Sequence, residues 1–318
     1  MSVFRWLFDN PDSTRDKNIN TVSDLLSSKK YYEDKYNWIL SYPQTKHAFM
    51  DDEILNQFIT VKLSNEGKEI IVGKKYIDLR PECPTILEDK GLHMSPISTI
   101  CFILHYQLIR NKLDIFPPSR LFIYHNISFF KDSKRLFTFE SIFNSIQNFG
   151  FCSELGYGYT TQNLTHNQIQ DKHYLEAEQH KFINIYRVPN SIDMIKKMLR
   201  NNMIVAIGFV LYNNIHINSN INIADTNKNT IVGGTIGAIV GYIETQQSFI
   251  IALSYGESMG KNGYILLPYK YVENSDLVPE LYYIDFDVTQ IQNFIINKNK
   301  MLHSLPQVNK TPYGGLFS

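Results

Sequence analysis

From Ser95 onward, apolar residues return every three or four positions: Ile97, Ile100, Cys101, Leu104, Leu108 and Ile109. That spacing predicts a helix with at least one buried face. Ser95 supplies a hydroxyl N-cap, and Pro96 sits at the first helical position, where its missing N–H costs nothing. The same period predicts a second helix over Phe139–Phe149, with Ile142, Phe143, Ile146 and Phe149 on one face and Gly150 closing it. A third runs from Ser191 to Asn201, capped by Ser191 and carrying Ile195, Met198 and Leu199. Past Met203 the period changes. Met203–Tyr212, Thr235–Ile243, Ser248–Leu253, Gly263–Leu267 and Leu281–Phe286 are short β-branched and aromatic runs, and they predict strands. Asn213–Thr230, Asn-rich, reads as a long surface loop. Residues 1–75 are polar and read as partly helical, at Val22–Tyr32, Tyr36–Tyr42 and Asp51–Val61. A last helix carries Ile291, Phe294, Ile295 and Met301 and leads to a Pro/Gly-containing tail, Leu305–Ser318. Helices first and strands later predict an α+β architecture.

Composition narrows the function classes. The 318 residues carry 31 Lys+Arg against 31 Asp+Glu, a net charge of zero. A general nucleic-acid binder needs a basic excess to neutralise phosphates, and docking on an anionic membrane has the same requirement. Hydrophobic residues at 43% supply enough material for a packed core. No apolar run approaches the ~20 residues of a transmembrane helix. The short run Val3–Phe8 is cut off by Asp9 and Asn10 before it could act as a signal h-region. The expectation is an intracellular protein with no membrane span. Cys83, Cys101 and Cys152 form no CxxC pair, and the nine histidines form no HExxH cluster. Neither a disulfide framework, a metal site nor a cofactor is expected. The Ile and Asn excess suggests an AT-rich genome, and chance in so Asn-rich a chain explains the sequons at Asn126, Asn163 and Asn309.

Five blocks then fall into an order that resembles the papain-like cysteine proteases. Tyr76-Ile-Asp-Leu-Arg-Pro-Glu-Cys-Pro84, followed by Glu88-Asp-Lys-Gly91 and the helix at Ser95, is similar to the start of the mature domain. Pro118-Ser-Arg-Leu-Phe-Ile-Tyr-His-Asn126 resembles the "PSRLFLYYN" segment of a bacterial and large-DNA-virus branch, and Asn148-Phe-Gly-Phe-Cys152 its "YGVCPE" segment. Val232–Tyr242 resembles "GGHAVLIVGY", and Ala252–Tyr264 resembles "NSWGTSWGDNGY". The resemblance implies a two-lobed fold over 76–287, with a helical lobe at about 90–200 and a β-rich, barrel-like lobe at about 203–287. Residues 1–75 then stand where a pro-segment would lie, and 288–318 form a C-terminal helix and tail.

The family's chemistry needs a thiolate at a helix N-terminus, an imidazole paired with it, an Asn to orient the imidazole, and a Gln in the oxyanion hole. By the resemblance these roles fall on Pro96, Thr235, Leu253 and Lys90, none of which can perform them. The Trp that covers the Asn becomes Tyr255. The implied protein is an inactive protease homologue that binds or assembles with other proteins, and its branch suggests the virion or host cytoplasm of a large DNA virus. Gly91, Ser95, Gly233, Gly234, Ser254 and Tyr255 are the candidate cleft lining. Two alternatives stand beside it: an active peptidase with displaced groups, or a peptide-binding decoy. A Ser95–His93 pair lacks anything to orient the imidazole, and Cys101 lies over a turn into the helix, the setting of a buried structural thiol. Cys83 and Cys152 are expected as free thiols in a reducing compartment, and Lys90 as a solvated or salt-bridged lysine.

Overall fold

A computed structural model describes residues 38–41, 47–66, 75–89, 92, 94–127, 137–166, 168–212, 231–257 and 259–304. Val22–Tyr32, the Asn-rich loop 213–230 and the tail from 305 lie outside these residues.

The expected central helix, α2 (Ser95–Arg110), follows α1 (Asp52–Glu66). It is buried on nearly every side, with Ser95–Leu104 and Tyr106–Leu108 all inside. Around it stand α3 (Arg120–Ile127), α4 (Phe139–Phe149), α5 (Thr161–Thr165) and α6 (Asp171–Ala177). The amphipathic stripe of α4 buries Phe139, Ile142, Phe143 and Ile146. Thr138 caps it in a reciprocal box with Ser141. Gly150 ends it at φ 72°, and a Cβ there would meet the Ala177 carbonyl oxygen at 1.9 Å, so only glycine fits. Helix α7 (Ile192–Arg200) has Ser191 as its N-cap, accepting from the Met194 N–H, as its sequence predicts.

The strands form a single mixed sheet in the order β1-β3-β8-β4-β5-β6-β7. These are β1 (Ala48–Phe49), β3 (Ile183–Arg187), β4 (Val205–Tyr212), β5 (Ile231–Ile243), β6 (Ser248–Ala252), β7 (Tyr264–Pro268) and β8 (Glu280–Phe286). β5 begins four residues before the expected strand, and its length lets it hold β4 along its first part and β2 (Tyr76–Asp78) along its last. β6 takes the other edge. Helices α8 (Tyr269–Glu273) and α9 (Val288–Ser304) complete the chain. The helices-then-strands order is broken by β3, which lies in the helical half of the sequence yet joins the sheet beside β8.

Among the described amino-terminal residues, the expected helicity is met in one segment and not in another. The stretch expected over Asp51–Val61 is helical from Asp52 on, within α1. Trp38–Ser41, by contrast, is an extended strap that bridges to Phe137. Trp38 N–H donates to the Gly234 carbonyl at 3.2 Å and Ile39 N–H to that of Phe137 at 2.9 Å. The Trp38 ring, 1% exposed, lies on Gly208 and Gly234, where a Cβ would come within 2.4 and 2.6 Å of ring carbons. Beyond it, β1 pairs in parallel with β3, so the extension is stitched to the sheet at two points.

Candidate functional site

The site is assembled from the N-terminus of α2, the middle of β5 and the turn after β6. Ser95 is the first helical residue of α2 and not its cap: Met94 holds the cap position, and its side chain makes no capping hydrogen bond. The reason lies far along the chain. The Ser95 hydroxyl is engaged by the Tyr255 hydroxyl, and Tyr255 in turn meets Thr235 Oγ1 at 2.6 Å. One phenol thus ties the start of the central helix to β5. Burial raises the Tyr255 hydroxyl well above the ordinary phenol range, so it stays neutral as a hydrogen-bonding group. A second hydroxyl pair lies one turn deeper, where Thr99 Oγ1 and Ser254 Oγ sit 3.1 Å apart and Thr99 also donates to the Ile236 carbonyl.

Leu253 is 1% exposed, and its Cδ2 stands 3.2 Å from the place a Cβ on Gly237 would occupy, two residues along β5 from Thr235. An apolar side chain therefore fills the space beside Thr235. Pro96 is fully enclosed at the second position of α2. Lys90, Gly91 and His93 lie outside the described residues. Their neighbour Asp89 is buried and accepts from Met94 N–H at 2.7 Å and from the Tyr159 hydroxyl at 2.8 Å. Gly234 carries the strap residue Trp38. Gly233, one residue before it, has φ 155° and lies opposite Leu211. Of the sequence-predicted positions, Tyr255 is hydrogen-bonded to Ser95 and Thr235, Ser254 pairs with Thr99, and Leu253 lies beside Gly237.

The cysteines are all free. Cys101 is fully buried inside α2, and desolvation pushes its thiol far up. Burial pushes Cys83 and Cys152 each to about 12. Reactive thiols need the opposite shift. Among the described residues no group of three or more His, Cys, Asp or Glu could hold a metal ion, and no helix is long and apolar enough to cross a membrane.

Two further blocks meet beside the site. Arg120 Nε and Nη2 donate to the two carboxylate oxygens of Glu154 at 2.8 and 2.7 Å, Nη1 donates to the Glu88 carbonyl at 2.7 Å, and the guanidinium lies 3.4 Å above the Tyr159 ring. Ser119 N–H donates to the Cys152 carbonyl and Glu154 N–H to that of Pro117. The Arg120–Glu88 bond fastens the loop before α2 to the helical half, and the backbone pair joins the segment before α3 to the one after α4. Sequence reasoning passed over Arg120 and Glu154, although both stand in or next to blocks it had singled out.

With a buried helix set against β5 of the sheet, and the sequence blocks meeting there, the comparison with solved structures is decisive. Xylellain, a cysteine protease from Xylella fastidiosa, superposes with a TM-score of 0.69 at 21% identity, covering 81% of this chain and 98% of that one. The fold is papain-like. A procathepsin B from Trypanosoma congolense matches with a TM-score of 0.58 at 13% identity, over 80% of this papain-like chain and 86% of its own. In sequence, an uncharacterized peptidase C1-like protein of Acanthamoeba polyphaga mimivirus is 27% identical over 286 residues, 81% of this chain and 89% of the relative. No protein-family model matches the chain.

The phenol bridge makes a direct prediction. Tyr255→Phe removes the shared partner of two buried hydroxyls and should lower the unfolding free energy by about 1–3 kcal/mol. Urea denaturation followed by circular dichroism checks this, and an unchanged midpoint would show that the bridge contributes nothing.

Proposed function

We propose that this papain-like chain has lost hydrolytic chemistry and serves as a protein-binding or assembly component. One observation carries the reading: the Tyr255 hydroxyl lies between Ser95 and Thr235, at the helix N-terminus and strand where the family resemblance puts nucleophile and base. Every group in that bridge is a neutral hydroxyl. None can form the thiolate–imidazolium pair of a cysteine peptidase, and an apolar Leu253 stands where an orienting amide would be needed. The three thiols are buried or raised, so none replaces the missing nucleophile. The amino-terminal strap, lying on the sheet next to Thr235, is retained as part of the fold, since no activity remains to remove it. The mimivirus relative supports a large-DNA-virus setting, in which a stable virion component is a natural use for such a scaffold.

A thiol-reactive peptide probe tests the loss of chemistry. No cysteine should be labelled stoichiometrically in the native protein, and labelling should appear only after unfolding. Native labelling that Cys101→Ser abolishes would overturn the reading.

A further inference from the structure

Helix α9 carries more apolar surface than its own chain covers. Its inner face is marked by three contacts. Ile291 is 4% exposed, the Phe294 ring lies 5.6 Å from that of Phe182, and Lys298 Nζ donates to the Leu175 carbonyl of α6 at 3.4 Å. Positions i, i+3 and i+7 fall on one side of a helix. Ile296 and Lys300 each stand two residues from Lys298, about 160° round the axis at 3.6 residues per turn, so they face away from α6. Ile296 is 50% exposed there, and Lys300, its neighbour at i+4, is exposed too. Helix α6 shows a matching pair. Leu175 is 61% exposed, and Asp171, four residues before it, is exposed as well. The two edge a hollow of about 610 Å³ whose wall includes Phe149, Tyr174, Glu178 and Lys181. Two carboxylates there face one cation, whereas α9 has Lys298 and Lys300 and no acidic residue. Neither Asp171 nor Lys300 has an ion-pair partner among the described residues.

We propose that α6 and α9 form the interface of a twofold homodimer, in which the outer face of α9 in one copy docks on α6 of the second copy. Run antiparallel, the two helices bring Ile296 onto Leu175 and Lys300 onto Asp171, so apolar meets apolar and cation meets carboxylate. Run parallel, they would set Lys300 on Leu175 and Ile296 on Asp171, so the pattern also fixes the direction. A single chain cannot make these contacts, because its own α9 meets its own α6 through the opposite face. A twofold axis makes each contact twice, and the docking closes on itself without growing into a filament. The 17 residues of α9 span about 25 Å, close to the width of a standard interface of about 800 Å² per copy. Dimerisation here does not depend on whether the chain hydrolyses peptides.

Sedimentation velocity of the full-length chain, from about 1 to about 100 µM, tests this. A dimer should form within that range. Leu175→Glu and Lys300→Glu should each raise its dissociation constant by about 10-fold or more, since each puts an unmatched carboxylate into both halves of the interface. Lys300→Glu combined with Asp171→Lys should bring the constant back to within about threefold of the wild-type one, because the pair is reversed and not removed. All three positions are exposed, so the variants should fold, and circular dichroism checks that they do. A chain that stays monomeric throughout overturns the proposal, as does a dimer that neither single variant weakens. A double reversal no tighter than the singles overturns it too. So does a monomer in which removing residues 305–318 speeds amide exchange at Leu175, which would assign the patch to the chain's own tail.

Discussion

Replacing Trp38 by alanine should lower the unfolding free energy by about 3–5 kcal/mol, the range for deleting a buried indole. The ring is 1% exposed, lies edge-on to Phe139 and spans two glycines from neighbouring strands. Gly208 and Gly234 beneath the ring have no side chains with which to fill the space it would leave. The cavity term should therefore be felt nearly in full. The same packing read from the other side predicts that Gly208→Ala is also costly, since its Cβ would come within 2.4 Å of Trp38 Cζ2. Chemical denaturation of the full chain checks both. A loss below about 1 kcal/mol for Trp38→Ala would mean that the strap decorates the fold and is not part of its core.

Arg120→Ala should be comparably severe, at about 3–5 kcal/mol. The Arg120 side chain is 4% exposed and that of Glu154 18%. Removing the guanidinium leaves a mostly buried carboxylate and the Glu88 carbonyl without their donor. Lysine should not rescue it, because a point charge cannot reproduce a planar fork stacked on Tyr159. Replacing Arg120 and Glu154 together by leucine should recover much of the loss, since the penalty is that of an abandoned charge and not of a missing attraction. If the double replacement is as unstable as the single one, the Glu88 and Tyr159 contacts matter more than the ion pair. The deficit should also persist at high salt, which screens exposed charges far more than enclosed ones.

How much of this could be seen in the chain itself depends on how local each cause is. Helices α2, α4 and α7 were legible because their buried stripes repeat over two or more turns, and Thr138 or Ser191 marks the start of α4 or α7 within three residues of its partner. The ordered blocks likewise made the papain-like fold readable at low identity. Strand β3 was not legible: five residues with only Ile183 and Ile185 alternating inward give too short a period to stand out. Ser95 misled for a related reason. Serine before proline is a local capping signature, but its hydroxyl was taken by Tyr255, 160 positions away, and no window along the sequence contains both. Trp38 shows the same limit. Its segment, Tyr36–Tyr42, reads as helical within a polar region, while the feature that buries Trp38 is the absence of side chains at positions 208 and 234. Glu280 sits at the head of an apolar strand, and its backbone donor, Ser41, lies 239 residues away.

The stitching of the extension has a kinetic meaning as well. The bonds from Trp38 to Gly234 and from Ser41 to Glu280 join points some two hundred residues or more apart, and β8 must slot between β3 and β4 before the carboxyl under Ser41 exists. Closing such distant loops spends chain entropy before any contact repays it, which slows folding. The strap should therefore be the last piece to lock, after ribosomal release of the β8 strand, and until then Gly208 and Gly234 present bare sheet to whatever chaperone or neighbouring chain meets the nascent protein first.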